Sequence, residues 1–534
     1  VTDRKVLFQF GYRRSPDQDS PSPARHPVIV AGAGPVGLCT AIDLAQRGVP
    51  VVLLDDADRI GEGSRGICYA KRTLEILDRL GVAEPCLEKG VTWKLGKVFQ
   101  RDELLYAFDL LPEDGHKMPA FINLQQYYLE HALVERAAQL PNLDIRWRNK
   151  VIAIERRDDG ATLTVETPEE SYDTEADWVV AADGARSSLR GMLGLAFQGE
   201  VFEDRFLIAD VKMQGDFPPE RWFWFDPPFH EGRSALLHKQ PDDVWRIDLQ
   251  LGSDADAKAE QTPERVIPRL RQMLGHDDFS LEWVSVYTFQ CRHLERFVHG
   301  RVIFAGDAAH QVSPFGARGA NSGIQDAENL AWKLALVVKG EAPESLLTTY
   351  DLERSAAADE NIGHSTRSTD FIAPRSAQEL RFRDATLSLA RHAPFAKRMV
   401  NSGRLSMPST YESPLSTPDA DTWSGSARLG APLPDAPMRD RDGKPIWLLE
   451  ALGNEETLLH MPNGEPPPAG STVIVIGRDL IDEMGLFAQR FDARPGSTYL
   501  VRPDHHLAAR WRHATPARIA KASRRLRGFE GEQA

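Results

Sequence analysis

From residue 28 the chain alternates short, continuous apolar runs with stretches of helical spacing. Residues 28–48, VIVAGAGPVGLCTAIDLAQRG, pass from a four-residue apolar run through glycines into apolar positions three and four apart, and VVLLDD follows at 51–56. That order predicts strand, tight turn, helix and strand. Two later apolar runs also finish on an acid, WVVAADG at 178–184 and RVIFAGD at 301–307. Buried strands delivering a polar group to a ligand have this form, so Asp183 and Asp307 become site candidates.

Between 197 and 290 the texture changes to aromatic-rich alternation, as in RWFWF, VWRIDLQL and LEWVSVYTF, which predicts an inserted antiparallel sheet with one face covered. From Asn321 to Lys339 the apolar residues Ile324, Ala327, Leu330, Ala331, Leu334 and Ala335 keep helical spacing until Gly340. Residues 403–440 are rich in Ser, Pro, Gly and Asp, and STVIVIG and STYLVRP then give two further strands before a basic helical tail. The organisation expected is a leader over 1–26, mobile or laid across the surface, and a nucleotide-binding domain split into 27–196 and 291–402. A substrate domain over 197–290 interrupts it, and a linker over 403–425 leads to a C-terminal domain over 426–534.

A chain of 534 residues suits two or three such domains. Its formal net charge of −14 disfavours nucleic acid and anionic membrane as partners, and a small molecule fits better. No apolar run reaches the roughly 20 residues that span a bilayer, and no signal pattern opens the sequence, so a cytoplasmic home is expected. Cys39, Cys68, Cys86 and Cys291 lack a paired spacing, which points to reduced structural thiols and to no metal site.

In GAGPVG, Gly32 permits the turn, Gly34 lets the backbone approach a pyrophosphate, Pro35 opens the helix, and Gly37 lets helix and strand pack closely. Asp55 closes the second strand eighteen residues after Gly37, where an acid can reach a ribose hydroxyl. These residues point to a dinucleotide without separating FAD from NAD.

The motifs further along make that separation. DGARSSLR over 183–190 and GDAAH over 306–310, followed by PFGARGANSGIQDAENLAWKL, resemble the group A flavoprotein aromatic hydroxylases, the family of phenol and p-hydroxybenzoate hydroxylases. The resemblance implies an α/β fold, with a Rossmann-like FAD domain, an inserted antiparallel β-sheet for substrate and a thioredoxin-like C-terminal domain. It implies non-covalent FAD, NADH or NADPH as co-substrate, and dioxygen, with a flavin hydroperoxide passing oxygen to a phenolic ring. Within it, Gly306 and Asp307 meet the ribityl chain, and Asp183 lies by the channel shared by flavin and nicotinamide. Pro314 leads to Gly319, Ala320 and Asn321, whose amides face the flavin's pyrimidine edge. Gln126 contacts the cofactor, and Arg65 lies near its phosphates. The bland alternatives are a turn cap for Asp183 and a surface charge for Arg65.

Two positions depart from the family. Arg65-Gly66 stands where phenol hydroxylase has Asp-Gly, so that carboxylate base is missing. Gly316-Ala317-Arg318-Gly319 replaces the usual Gly-Gln-Gly, and Arg318 is left between an anion-binding role and a surface pair. Substrate contacts are expected from Trp222, Trp224 and Arg246, with His238 and Tyr287 as candidates for handling the substrate hydroxyl, although alternate aromatics on a sheet are more often core. The C-terminal region holds no cysteine, which excludes disulfide exchange and leaves a structural or homodimer-forming role. A flavin-dependent halogenase stays open because Trp222-Phe223-Trp224-Phe225-Asp226-Pro227 approaches that family's Trp-x-Trp-x-Ile-Pro, although Asp226 breaks the match. A non-catalytic FAD-binding protein stays open as well.

Overall fold

The computed structural model describes residues 8–61, 65–215, 217–400, 405–468 and 472–529. Its first sheet is built on five parallel strands in the spatial order Val302–Phe304, Ser171–Ala181, Ala24–Ala31, Val51–Asp55 and Leu143–Trp147. The apolar runs recognised in the sequence supply four of them, Leu143–Trp147 being the exception, and Val28, Ile29, Val30, Leu53, Val179, Val180 and Ile303 are fully buried. Helices Pro35–Gln46 and Gly319–Val338 pack against one another. Because the strands run parallel, the residues following Ala31, Asp55, Ala181 and Phe304 emerge at one edge, where α/β sheets bind ligands.

The first strand begins at Ala24, four residues before the apolar run at Val28. The leader lies across the surface and is pinned there from Phe8 onward. Phe8 stacks on His131, Phe10 stacks on Trp147, and buried Asp17 accepts from Arg146 at 2.7 Å and pairs with His26 at 2.8 Å. Residues 1–7 lie outside the described part.

The second sheet has eight strands and is antiparallel except for one pair. It includes Leu95–Gln100 and Glu103–Asp109, which come from outside the 197–290 segment. The expectation of one covered face is corrected here, because both faces are covered. On one, Leu207, Val211, Trp245, Ile247 and Leu249 form an apolar core with Val266 and Leu270 of helix Pro263–Leu274. On the other, the polar residues Asp210, Gln240 and Arg246 are buried against the first sheet's ligand edge.

The C-terminal strands Thr457–His460, Val473–Val475, Thr498–Val501 and Leu507–Trp511 form a sheet in the order second, first, third, fourth. The first two are parallel and the others antiparallel, and helix Pro516–Leu526 packs on the last two. That arrangement is consistent with a thioredoxin-like unit. A buried ionic network ties it to the rest: Arg502 pairs with Glu353 at 2.8 Å and Asp504 at 2.6 Å, Glu353 with Lys333 at 2.8 Å, and Trp332 donates to Asp504 at 3.0 Å.

Candidate active site

The glycine turn is shaped by close approach. A Cβ on Gly32, whose φ is +106°, would lie 2.4 Å from the Ala182 carbonyl oxygen, and one on Gly37 would lie 1.8 Å from the Gly32 oxygen. A Cβ on Gly34 would meet nothing within 4 Å. The backbone is therefore packed on two sides and open on the third, in front of the helix beginning at Pro35, where a pyrophosphate fits. Asp55 accepts from the Ala33 N–H at 2.5 Å and the Ala57 N–H at 2.8 Å, so its carboxylate also braces the turn. Burial raises its pKa against those two hydrogen bonds.

Gln126 accepts from the Gly66 N–H at 2.9 Å and donates to Glu130 at 2.7 Å. Glu130, buried and not singled out in the sequence, also accepts from the Gly61 N–H at 3.1 Å. These bonds tie both ends of the loop carrying Arg65 to helix Gln126–Ala137. Burial pushes the Glu130 pKa up to about 7, and the Arg65 charge opposes the rise. Arg65 is exposed, and Gly66 is closely approached by Gln126 and Ala320.

Asp183 accepts from the Leu189 N–H at 3.0 Å and the Ser188 hydroxyl at 3.3 Å, which is the capping role weighed above. Its other oxygen is buried with no partner among the described residues, so it retains an acceptor for a ligand. Asp307 is exposed to water, yet the protein packed around it raises its pKa, against the charges of His310 and Arg65. Behind it, Asp326 accepts from the Gly306 N–H at 2.9 Å, from His310 at 2.6 Å and from Arg354 at 2.6 Å. Burial opposes ionisation of Asp326, but His310 and Arg354 outweigh it and its pKa falls. Asp326 is thus a buried anion that fixes the GDAAH turn.

The long helix runs from Gly319 to Val338, and its first intrahelical bond is Ser322 N–H to Arg318 at 2.7 Å. The amides of Gly319, Ala320 and Asn321 precede that bond and lie at the positive end of the helix. The Asn321 side chain bonds the Cys68 carbonyl at 2.9 Å, the Ala70 N–H at 2.8 Å and Thr73 at 2.6 Å, so it joins the helix to the strand Cys68–Ala70. Pro314 is exposed and its carbonyl accepts from Ala317 at 3.0 Å. Arg318 is not a surface charge: it is buried and donates to Asn361 at 3.1 Å.

Of the five sheet candidates, His238, Arg246 and Tyr287 lie on the face toward this edge, and Trp222 and Trp224 lie on the opposite one. Trp222 packs edge-on to Phe217 at 5.4 Å, and Trp224 stacks on Phe99 at 5.2 Å. Their neighbours Arg221, Phe223 and Phe225 instead line a cleft with Phe315, Gly316 and Phe371. RWFWF is bulky at every position, so alternation could not tell which set faces the cleft. Arg246 forks onto Asp210 at 2.9 and 3.0 Å and reaches the Arg65 carbonyl at 3.3 Å. His238 is buried beside Trp93, and burial together with Arg221 and Arg246 drives its pKa well below the usual histidine range.

The profile of the FAD binding domain family, FAD_binding_3, matches residues 25–365. The chain belongs to this family. A flavin-dependent monooxygenase of Mycobacteroides abscessus is 34% identical over 363 residues, covering 64% of this chain and 73% of that protein. The 3-(3-hydroxy-phenyl)propionate/3-hydroxycinnamic acid hydroxylase of Mycolicibacterium smegmatis is 27% identical over 521 residues, 91% of each chain. Among solved structures, the OxyS anhydrotetracycline hydroxylase of Streptomyces rimosus superposes with a TM-score of 0.73 at 27% identity, covering 94% of this chain and 99% of that one. Family membership makes FAD the cofactor. The open space at Gly34, the unpartnered Asp183 oxygen and the accessible Asp307 fit it.

Proposed function

We propose that this flavoenzyme hydroxylates a phenolic or related aromatic substrate, with NADH or NADPH as reductant and dioxygen as oxidant. The observation that carries the reading is the meeting of a flavin-type nucleotide edge with a buried polar sheet face, joined where Arg246 touches the Arg65 carbonyl. FAD, when bound, would supply the redox chemistry that links the nicotinamide to dioxygen.

The chain's own residues do the rest. Gly32, Gly34 and Gly37 with the amides after Pro35 hold the pyrophosphate, Asp55 the adenosine ribose, Asp307 the ribityl chain, and Arg65 the phosphates. Asp183, with one oxygen unpartnered among the described residues, lies by the nicotinamide path. The Gly319–Asn321 amides place partial positive charge at the flavin ring, which favours its anionic reduced form. Phe223, Phe225, Phe315 and Phe371 give an apolar wall for an aromatic ring and exclude water from the reaction. His238, held neutral, serves as a hydrogen-bond partner for a substrate oxygen, and Tyr287 borders the same face. Arg246 is neutralised by Asp210 and builds the wall.

No helix among the described residues is long and apolar enough to cross a membrane. A cytoplasmic location and a homodimer belong to the same reading. The exposed Phe382, Leu389 and Phe395 on neighbouring helices offer a surface for the dimer, which sedimentation at increasing concentration tests.

The decisive assay is NAD(P)H consumption by the purified FAD-loaded chain alone while mono- and dihydroxylated aromatics are added. Stimulated consumption is expected. A requirement for a separate reductase would indicate halogenase-type chemistry, and no oxidation under any condition would indicate a binding protein.

A further inference from the structure

The site-facing side of the second sheet can be read as rows across its strands. One row runs Val98, Phe223, Leu236, Asp248, Ile208 and Ser285. On its own strand Asp248 sits between Arg246 and Gln250, two residues either side, so it occupies the middle of the face that meets the cofactor edge. Strand spacing places its Cα about 10 Å from that of Phe223 on the cleft wall, with Leu236 between them. Its charge is felt by Cys68, which opens the strand Cys68–Ala70 two residues beyond Gly66, the glycine that Ala320 approaches.

The polar groups here are provided for unequally. Arg246 and Asp210 satisfy one another, and Gln240 donates to Asp210 at 3.1 Å. Asp248 keeps a buried Oδ1 with no partner, and His238, itself only 4% exposed, keeps a buried Nδ1 with none, among the described residues. Arg221 is 8% exposed, lies on the cleft wall over the Phe223 ring at 5.7 Å, and pairs with no carboxylate of the described residues. An unpartnered carboxylate oxygen, imidazole nitrogen and guanidinium buried together are costly for a fold to keep. A ligand that supplied both a proton and an anionic oxygen would satisfy all three.

We propose that Asp248 is the base that takes the proton of the substrate's ring hydroxyl, and that Arg221 holds the phenolate oxygen so formed, with His238 bonded to the same oxygen or its neighbour. The substrate O–H bond breaks, an O–H bond forms on the Asp248 carboxylate, and the electron pair stays on the substrate oxygen, with no change in oxidation state. This rests on the hydroxylase reading and supplies the base whose usual place is taken by Arg65-Gly66. Burial holds the Asp248 pKa up at about 7, against Arg246 and Arg221 and with Asp210, which suits a group that must gain and release a proton near neutrality.

The test uses p-nitrophenol, whose ionised form is yellow, titrated anaerobically without nicotinamide into the FAD-loaded protein from pH 5.5 to 8.5. Parent protein is expected to bind it as the phenolate at least one pH unit below the point where the free compound ionises. Arg221→Gln should weaken binding about tenfold or more and return the bound compound to its neutral form at low pH. Asp248→Asn should bind with a changed pH profile and lose hydroxylation, while Asp248→Glu keeps part of it. The charged and titratable groups around Asp248 are Arg221, Arg246, Asp210, Cys68 and His238, and Arg246 and Asp210 stay paired in every variant. FAD content serves as the folding control, with Trp222→Phe on the opposite face as the neutral comparison. A parent protein that binds p-nitrophenol only as the neutral phenol, or not at all, overturns the proposal even if no variant folds. So does an Asp248→Asn enzyme that hydroxylates at the parent rate. A bound phenolate with no oxygen transferred to any phenol would instead count against the hydroxylase reading.

Discussion

The two faces of the second sheet are made by alternate residues of the same strands, and they spend their burial differently. The outer face sets Leu207, Trp245, Ile247 and Leu249 against helix Pro263–Leu274, which is ordinary core packing. The inner face buries Asp210, His238, Gln240 and Arg246, with Arg221 and Asp248 beside them. Burying apolar area stabilises a fold, whereas burying polar groups without full partners does not. The inner face is therefore explained by what it meets, and the outer face by stability alone.

The largest effect expected from breaking this contrast is on stability. Asp210→Ala removes the carboxylate that buried Arg246 forks onto, a loss of about 3–5 kcal/mol. Denaturant unfolding should show it as a lower midpoint. An unchanged midpoint would mean that the inner face is better hydrated than its burial indicates.

Next comes Glu130, the buried acid that holds the Arg65 loop. Its pKa in the fold is about 7 against an ordinary 4.5. The folded state therefore keeps a proton that the unfolded chain gives up, and stability is lost as pH rises through this window, by roughly 3 kcal/mol at most. Flavin-free Glu130→Gln should not lose it, so thermal melts at pH 4.5 and 8 should differ less for the variant than for the parent.

Asp307→Ala removes a charged hydrogen-bond acceptor from the nucleotide edge and should weaken FAD binding by about 1.5–3 kcal/mol, read by flavin retained on gel filtration. Trp222→Phe should have the smallest effect. It lies on the outer face, where its Nε1 donates to Glu220 at 2.7 Å, and substrate-stimulated NAD(P)H oxidation should stay within about twofold of the parent. A collapse of turnover with normal stability would assign Trp222 to the site after all.

Much of the nucleotide half was legible because its signals are local. The strand–turn–helix at Val28–Gln46, the acids ending the parallel strands and the long helix all depend on a few adjacent residues. Glu130 and Asp326 were not legible, because each acts through backbone amides far away in sequence, Gly61 and Gly306. The substrate face was legible only in part. The polar residues of VWRIDLQL, Arg246, Asp248 and Gln250, alternate with apolar ones and mark a common face, but the same pattern describes a face open to water. What buries it is tertiary: the Arg65 loop meets Arg246 and Trp93 packs beside His238 on that side. In Arg221–Phe225 the choice of face turned on a register that no residue of the run reveals.

The most direct test of the central claim, that the two halves meet to hydroxylate an aromatic ring, is turnover under isotopically labelled dioxygen. A phenol that stimulates NAD(P)H oxidation by the FAD-loaded protein is used, with mass spectrometry of the product and peroxide assayed in parallel. The account predicts one labelled oxygen atom in the product, ortho or para to the hydroxyl, and rising peroxide when a poorly fitting analogue replaces the phenol. Product without label, or with its oxygen drawn from water, would contradict it.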